Sequence, residues 1–266
     1  MAVAAAKISI EGLRHEYVDP YSGDVVLALN GLSLEVRQGE FLSVVGPSGC
    51  GKSTMLNILA GLLKPTGGRV MIGDREVTGP GRDRGVVFQE FAILPWRNVE
   101  NNIGHPLEIQ GVPRSERIGR VAKFVDLVNL AGFEKKFPHE LSGGMRQRVA
   151  VARTLAQDPE VMLMDEPFAS VDAQTRITLQ EELLQVAYKT LKTIIFVTHS
   201  VDEAVFLGHR VAILTRRPGR LKEIVEIPLP LEGRNHADIG SNAEYMAKRD
   251  YVLSSVREEV TRGGRE

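Results

Sequence analysis

The stretch "GPSGCGKST" at residues 46–54 limits the folds open to this chain more than any other feature. It fits G-x-x-x-x-G-K-[ST] and lies between a short apolar run, "FLSVV", and the helical pattern "STMLNILAGLL". The order strand, tight loop, helix aims bare backbone N–H groups at one spot, where an anion is stabilised. Gly46, Gly49 and Gly51 let the chain turn inward about phosphates, with Pro47, Ser48, Cys50 and Thr54 completing the cradle. Lys52 reaches the terminal phosphates, and the Ser53 hydroxyl suits Mg²⁺.

Such a loop belongs at the end of a buried strand. Further short apolar runs recur at "GVVFQ" (85–89), "VMLM" (161–164), "IIFVT" (194–198) and "VAIL" (211–214). Several are followed by helical patterns, which implies a mainly parallel sheet covered on both faces. Residues 7–36 instead alternate apolar and polar, as antiparallel strands with one buried face do. Between about 91 and 158 the texture turns helical. Ile118, Val121, Val125 and Val128 make one stripe; Met145, Val149, Ala152 and Ala156 make another. The expected fold is therefore α/β: a P-loop NTPase core, an N-terminal antiparallel β subdomain and an inserted α-helical subdomain. Residues 1–232 form the domain, and 233–266 a peripheral linker and helix, the helix at 243–261. "RRPGR" (216–220) reads as a hairpin turn, with Pro218 and Gly219 suited to type II.

Charge narrows the function classes. Thirty-three basic residues face thirty-four acidic ones, so no nucleic-acid partner is expected. The single cysteine excludes a disulfide framework and fits a reducing compartment. "MAVAAAKISI" has no basic leader, and Lys7 interrupts its apolar run, so it does not read as a signal peptide. The remaining apolar runs are too short to span a bilayer. Work at a membrane would go through a partner.

Three strand ends carry chemistry. "VMLMDE" ends in Asp165, suited to hold Mg²⁺, and Glu166, suited to polarise an attacking water. "VVFQE" ends in Gln89, whose side chain could cap a helix, touch Mg²⁺ or touch the attacking water; spacing alone does not decide. "FVTHS" brings His199 to the same sheet edge, where it suits a γ-phosphate contact. "SVDE" after it fits a capping box, with Ser200 as N-cap and Glu203 as its partner.

"LSGGMRQR" (141–148) adds a puzzle, because Ser142, Gly143 and Gly144 open a second helix that suits an anion. One nucleotide tail needs one cradle. The second would serve another anionic substrate or the ATP of a second copy, unless Ser142 only caps the helix and the glycines only allow tight packing.

LSGG between the phosphate loop with Gln89 and "MLMDEPFASVD" resembles ABC transporter ATP-binding subunits over roughly residues 7–230. The resemblance implies two subunits, a homodimer or a pair of ATPase chains, that sandwich two ATPs head to tail. It implies that Ser142, Gly143, Gly144 and Met145 meet the partner's nucleotide, that Tyr17 stacks on adenine, and that Asp172 links the two sites. Val171 stands where leucine is usual. "FQEFAILPWRNVENNI" and "FPHELSGGMRQRVAVARTL" are similar to the nitrate, sulfonate, taurine and bicarbonate importers, although Arg97 and Asn98 depart from that pattern. ATP and Mg²⁺ are the implied cofactors. The implied partners are a membrane permease, contacted through Phe91 and Trp96, and indirectly an extracellular or periplasmic solute-binding protein. The implied location is peripheral, on the cytoplasmic face of the cell membrane. A soluble ABC-type ATPase acting on ribosomes or DNA would carry two cores or a long coiled coil. A kinase or GTPase would not explain LSGG, and Glu166 speaks against a module that holds ATP without turnover.

Overall fold

The computed structural model describes residues 6–261; the two ends of the chain, on which the signal-peptide reading of "MAVAA" falls, lie outside the described residues. In chain order the elements are β1 (Ala6–Val18), β2 (Val25–Arg37), β3 (Phe41–Val45), α1 (Lys52–Leu59), β4 (Gly67–Ile72), β5 (Arg75–Glu76) and β6 (Arg84–Val87). There follow α2 (Val99–Ile109), α3 (Arg114–Leu127), a 3₁₀ turn (Pro138–Glu140), α4 (Gly143–Ala156), β7 (Val161–Asp165) and α5 (Ala173–Thr190). The chain continues with β8 (Thr193–Val197), α6 (Val201–Leu207), β9 (Arg210–Leu214), β10 (Leu221–Glu226), α7 (His236–Ile239) and α8 (Ala243–Thr261).

Two sheets form. Strands β2-β1-β4-β5 make an antiparallel sheet, and β10-β9-β3-β8-β7-β6 make a second in which only the edge strand β10 runs antiparallel to its neighbour. The central strands β3, β8 and β9 are buried at every residue, so their sequences are mostly apolar rather than alternating, with Ser43, Thr193 and Arg210 the buried polar exceptions. The inward residues of β1 and β2, among them Ile8, Ile10, Leu32 and Leu34, share one core with α1 and the underside of the parallel sheet. The helices α2, α3 and α4, inserted between β6 and β7, enclose a core of their own around Ile103, Leu107, Val125 and Val149.

Three expectations are corrected by the packing. Ile118, placed on the buried stripe of α3, is 65% exposed, because the neighbouring helices cover only the Val121–Val125 side. The β9–β10 hairpin exists, but its turn is not type II: Gly219 lacks the positive φ that type demands, and the Arg217–Pro218 peptide is cis. Nor is the C-terminal segment peripheral. Tyr245 and Val252 on α8 are buried against Val201, Val205 and Ile213, and Arg249 pairs with Asp202 at the start of α6. Arg234 is buried where its guanidinium donates to the carbonyls of Val205, Phe206 (2.6 Å) and Gly208, closing the free end of α6. With no carboxylate on it, burial pushes that guanidinium down to about 10.

Candidate functional site

The phosphate loop, Asp165, Glu166 and His199 lie at one edge, because β8 pairs in parallel with both β3 and β7, so their carboxyl ends coincide. Residues 46–51 form the loop after β3, and Gly51 begins α1 at φ 99°, a left-handed conformation in which a Cβ would sit 2.7 Å from Leu29. Ser48, Gly49, Gly51, Lys52, Ser53 and Thr54 line a pocket of about 290 Å³, closed by Tyr17 on one side and Glu166 on the other. The buried Lys52 ammonium donates to the carbonyls of Gly46 (2.8 Å) and Pro47 (3.1 Å), which holds it within the loop. Cys50 departs from the expected picture: its thiol is fully buried in the core, not turned to the pocket, and burial pushes it up from the usual thiol range.

The Ser53 hydroxyl donates to Asp165 Oδ1 at 3.1 Å. Burial raises the Asp165 carboxyl, and nearby Glu166 raises it further, while the Ser53 bond and Lys52 act the other way. A carboxylate so placed favours a cation. Two hard oxygen donors suit Mg²⁺, which completes its shell with water and phosphate oxygens rather than a protein cage.

Glu166 follows β7 with φ 44°, a left-handed conformation that is strained for a residue with a Cβ. Its N–H donates to Val197 O at 2.9 Å, which fixes the turn against the end of β8. The carboxylate thereby meets His199, whose Nδ1–H donates to Glu166 Oε2 across 3.0 Å. That bond leaves Nε2 as the imidazole atom free to meet a phosphate. Tyr17, 44% exposed at the pocket mouth, bonds Thr54 through its hydroxyl (3.1 Å) and has His15 packed edge-on against its ring.

Other expected residues stand apart. Gln89 is exposed in the turn after β6, and no hydrogen bond joins it to Ser53, Asp165 or Glu166. Phe91 and Ala92, at φ 56° and 46°, continue that turn. They are held from α4: Arg153 donates to Ala92 O at 2.7 Å, and the Arg146 guanidinium lies 5.7 Å from the Phe91 ring centre. Phe91 is thus partly buried, with one face packed against the core of the parallel sheet. Ser142 caps α4 by accepting from Met145 N–H (3.2 Å), and Asp172 caps α5 by accepting from Thr175 N–H (3.0 Å). Neither Ser142–Met145 nor Asp172 lines the Lys52 pocket. Gly144 also has a packing role, since a Cβ there would lie 2.4 Å from Thr175 Cγ2.

Trp96 is 71% exposed and presented by a loop that the fully buried Asn102 pins, accepting from Leu94 N–H and donating to the carbonyls of Leu94, Arg97 and Asn98. With Arg97, Glu108, Arg117, Ile118 and Phe137 it lines an open groove of about 680 Å³ on the helical block. Two residues escaped sequence reasoning. Arg217 lines the phosphate-loop pocket, carried there by the β9–β10 turn, and Gly219 abuts the loop so closely that a Cβ would lie 2.0 Å from Cys50 O. No local pattern marks either one, since both act on residues about 170 positions earlier.

Known proteins share this chain's sequence and fold. A family profile described as ABC transporter matches residues 29–169. An uncharacterized ABC transporter ATP-binding protein of Methanocaldococcus jannaschii is 52% identical over 254 residues, covering 96% of this chain and 92% of the relative. The taurine import ATP-binding protein TauB of Roseobacter denitrificans is 41% identical over 263 residues, covering 97% and 98%. A solved ATP-binding cassette, a dimer in a post-hydrolysis state bound to ADP and Pi, superposes with TM-score 0.73 at 30% identity over 84% of this chain and all of that one.

Proposed function

This chain belongs to the ABC transporter ATP-binding family, and on that premise we propose that it is the energy-coupling ATPase of an importer for a small anionic solute. Nitrate, bicarbonate and sulfonates such as taurine are the candidate class. The relative named for taurine import, alike over nearly its whole length, supports that class. The observation that carries the reading is that one chain holds two glycine-rich helix starts of the kind that suits an anion, the Lys52 loop and the start of α4, and the second does not line the first one's pocket. Ser142, Gly143, Gly144 and Met145 therefore serve the nucleotide of a second copy, with Asp172 beside them at the start of α5.

In this reading Tyr17 stacks on the adenine and the 46–54 loop wraps the phosphates, as its N–H groups and Lys52 dictate. Ser53 and Asp165 would hold Mg²⁺, with Gln89 reaching it once the 88–92 turn moves. The ion would neutralise charge on the phosphate oxygens. Glu166 accepts the proton of the attacking water, and His199, tied to it through Nδ1, turns Nε2 toward the γ-phosphate. Closure of two copies on ATP, and their release after hydrolysis, transmits work through differential contacts. The Trp96 groove receives a short helix of the membrane permease, which holds the protein at the cytoplasmic face. No helix among the described residues is long and apolar enough to cross a membrane. A solute-binding protein outside the cell would select the cargo.

The test places a carboxylate at the start of α4. Gly144 is unsuitable, because its Cβ meets Thr175, whereas Gly143 has only Ser170 O at 3.7 Å. Gly143→Asp should leave the monomer's ATP affinity within about twofold yet abolish ATP-dependent dimerisation in the Glu166→Gln background, through like-charge repulsion. Mixing Gly143→Asp copies with Lys52→Ala copies leaves one composite site free of lesions and should restore some association. An equal loss of ATP binding by the Gly143→Asp monomer would show that α4 serves its own chain's nucleotide.

A further inference from the structure

Glu203 lies on α6 four residues beyond His199, only 6% exposed, and it does not complete the capping box that the sequence suggests. Ser200 does cap α6, accepting from Glu203 N–H at 3.3 Å, but the Glu203 side chain bonds Thr198 rather than the Ser200 N–H. Its Oε2 accepts from Thr198 Oγ1 at 2.6 Å, and its Oε1 accepts from Gln180 Nε2 at 3.3 Å. A carboxylate taken out of water is costly unless it is hydrogen-bonded or paired.

What these bonds hold is the backbone on both sides of His199. Thr198 Oγ1 donates to Glu203 and accepts from Ser200 N–H at 3.0 Å, while Thr198 N–H donates to Val44 O at 3.2 Å, one residue from the end of β3. The hydroxyl thus bridges over His199 and is itself oriented by the carboxylate. On the other side, Oε1 lies 3.8 Å from Arg176 Nε, and Arg176 Nη2 donates to Val171 O at 2.9 Å, in the loop that carries Asp172. The same network reaches the C-terminal segment: His236 Nε2–H donates to Gln180 Oε1 at 2.8 Å, and its ring stacks on Phe206 of α6.

We propose that Glu203 is a positioning residue for hydrolysis, which sets His199 through Thr198 and ties the His199 loop to the Asp172 loop through Arg176. The inference rests on the composite-site reading above. It adds that a shift of the Asp172 loop by the second copy is passed to His199 by this carboxylate, with Gln180 and His236 bracing it from behind. A displacement of about 1 Å at a reacting group can cost on the order of 10²-fold in rate, so loss of the bridge should act on turnover rather than on nucleotide binding.

The experiment measures steady-state ATPase of the full chain with nucleotide affinity and thermal stability alongside. Thr198→Val keeps shape and removes the bridging hydroxyl. It should lower kcat by about ten- to a hundredfold, leave KM and ATP affinity within about twofold, and be restored by Thr198→Ser. Glu203→Gln, which keeps volume, should lower kcat in the same way. In a cycle of Glu203→Gln with Arg176→Met, the double variant should lose less than the product of the single losses. A folded Thr198→Val protein with wild-type kcat would overturn the proposal, as would a loss that only tracks the folded fraction and is not restored by serine. Multiplicative losses in the cycle would overturn the link to the Asp172 loop. Hydrogen exchange needs no turnover: the Ser200 amide should exchange faster in Thr198→Val and in Glu203→Gln, and unchanged protection refutes the bridge. A wild-type chain that fails to hydrolyse ATP would instead refute the proposed function, while the exchange arm still judges Glu203.

Discussion

Glu166 Oε2 and His199 Nδ1 lie 3.0 Å apart, joined across the ends of two adjacent parallel strands. With the carboxylate accepting, the imidazole proton sits on Nδ1, and Glu166 lines the Lys52 pocket as a proton acceptor. Glu166→Gln should therefore keep ATP binding and lower turnover by about 10²–10⁴-fold, the range for loss of a general base. Steady-state hydrolysis with an equilibrium nucleotide-binding assay checks this, and wild-type turnover in the variant would remove Glu166 from that role.

Asp165 should show its work in the pH dependence of stability. Burial holds its carboxyl above the ordinary range in the fold. Its contribution to stability is therefore full below the unfolded pKa and is lost as pH rises through the folded one. Without Mg²⁺ or nucleotide, Asp165→Asn should raise Tm at pH 7 and bring it closer to wild type at low pH, while losing the stabilisation that Mg²⁺ and ATP confer together. Differential scanning fluorimetry from pH 4 to 8 reads both effects. A lower Tm for the variant at pH 7 would contradict the assigned burial cost.

Gly219→Ala tests the contact between the β9–β10 turn and the phosphate loop. The new methyl would lie 2.0 Å from Cys50 O, a backbone atom that moves only with the loop. Overpacking of this kind costs about 1–3 kcal/mol, and nucleotide affinity should fall with it. Gly240→Ala is the control, since its Cβ meets nothing within 4 Å. Denaturant unfolding and ATP titration should separate the two, and equal behaviour would refute the contact.

Trp96→Ala should leave Tm within about 1 °C, because an exposed side chain away from core features contributes little to stability. Assembly with the cognate membrane permease should nevertheless weaken, as loss of an aromatic anchor of about 2 kcal/mol or more implies. Co-purification from membranes and transport assays check it. Normal assembly would exclude the groove as the docking surface.

Much of this protein is legible locally. The strand runs, the glycine loop, Asp165–Glu166 at one strand end and His199 at another are set by hydropathy period and covalent adjacency, and parallel neighbours must bring such ends together. Side-chain direction is different, because it depends on partners far away in the chain. Ser200 and Glu203 have capping-box spacing, yet Gln180, 23 residues earlier, and Thr198 offer Glu203 a buried site that the helix start cannot match. Ile118 fits a buried stripe by period, but no neighbouring helix covers its side of α3. Gly144 looks like an anion-site glycine, and only its contact with Thr175 shows that it also allows α4 to meet α5. Arg217 and Gly219 reach the phosphate loop because β9 pairs with β3, a non-local choice that no window of sequence contains. The sequence by itself determined which chemistry the sheet edge carries; the tertiary structure decided which residues hold that chemistry in place, since close packing fixes orientation through contacts between distant segments.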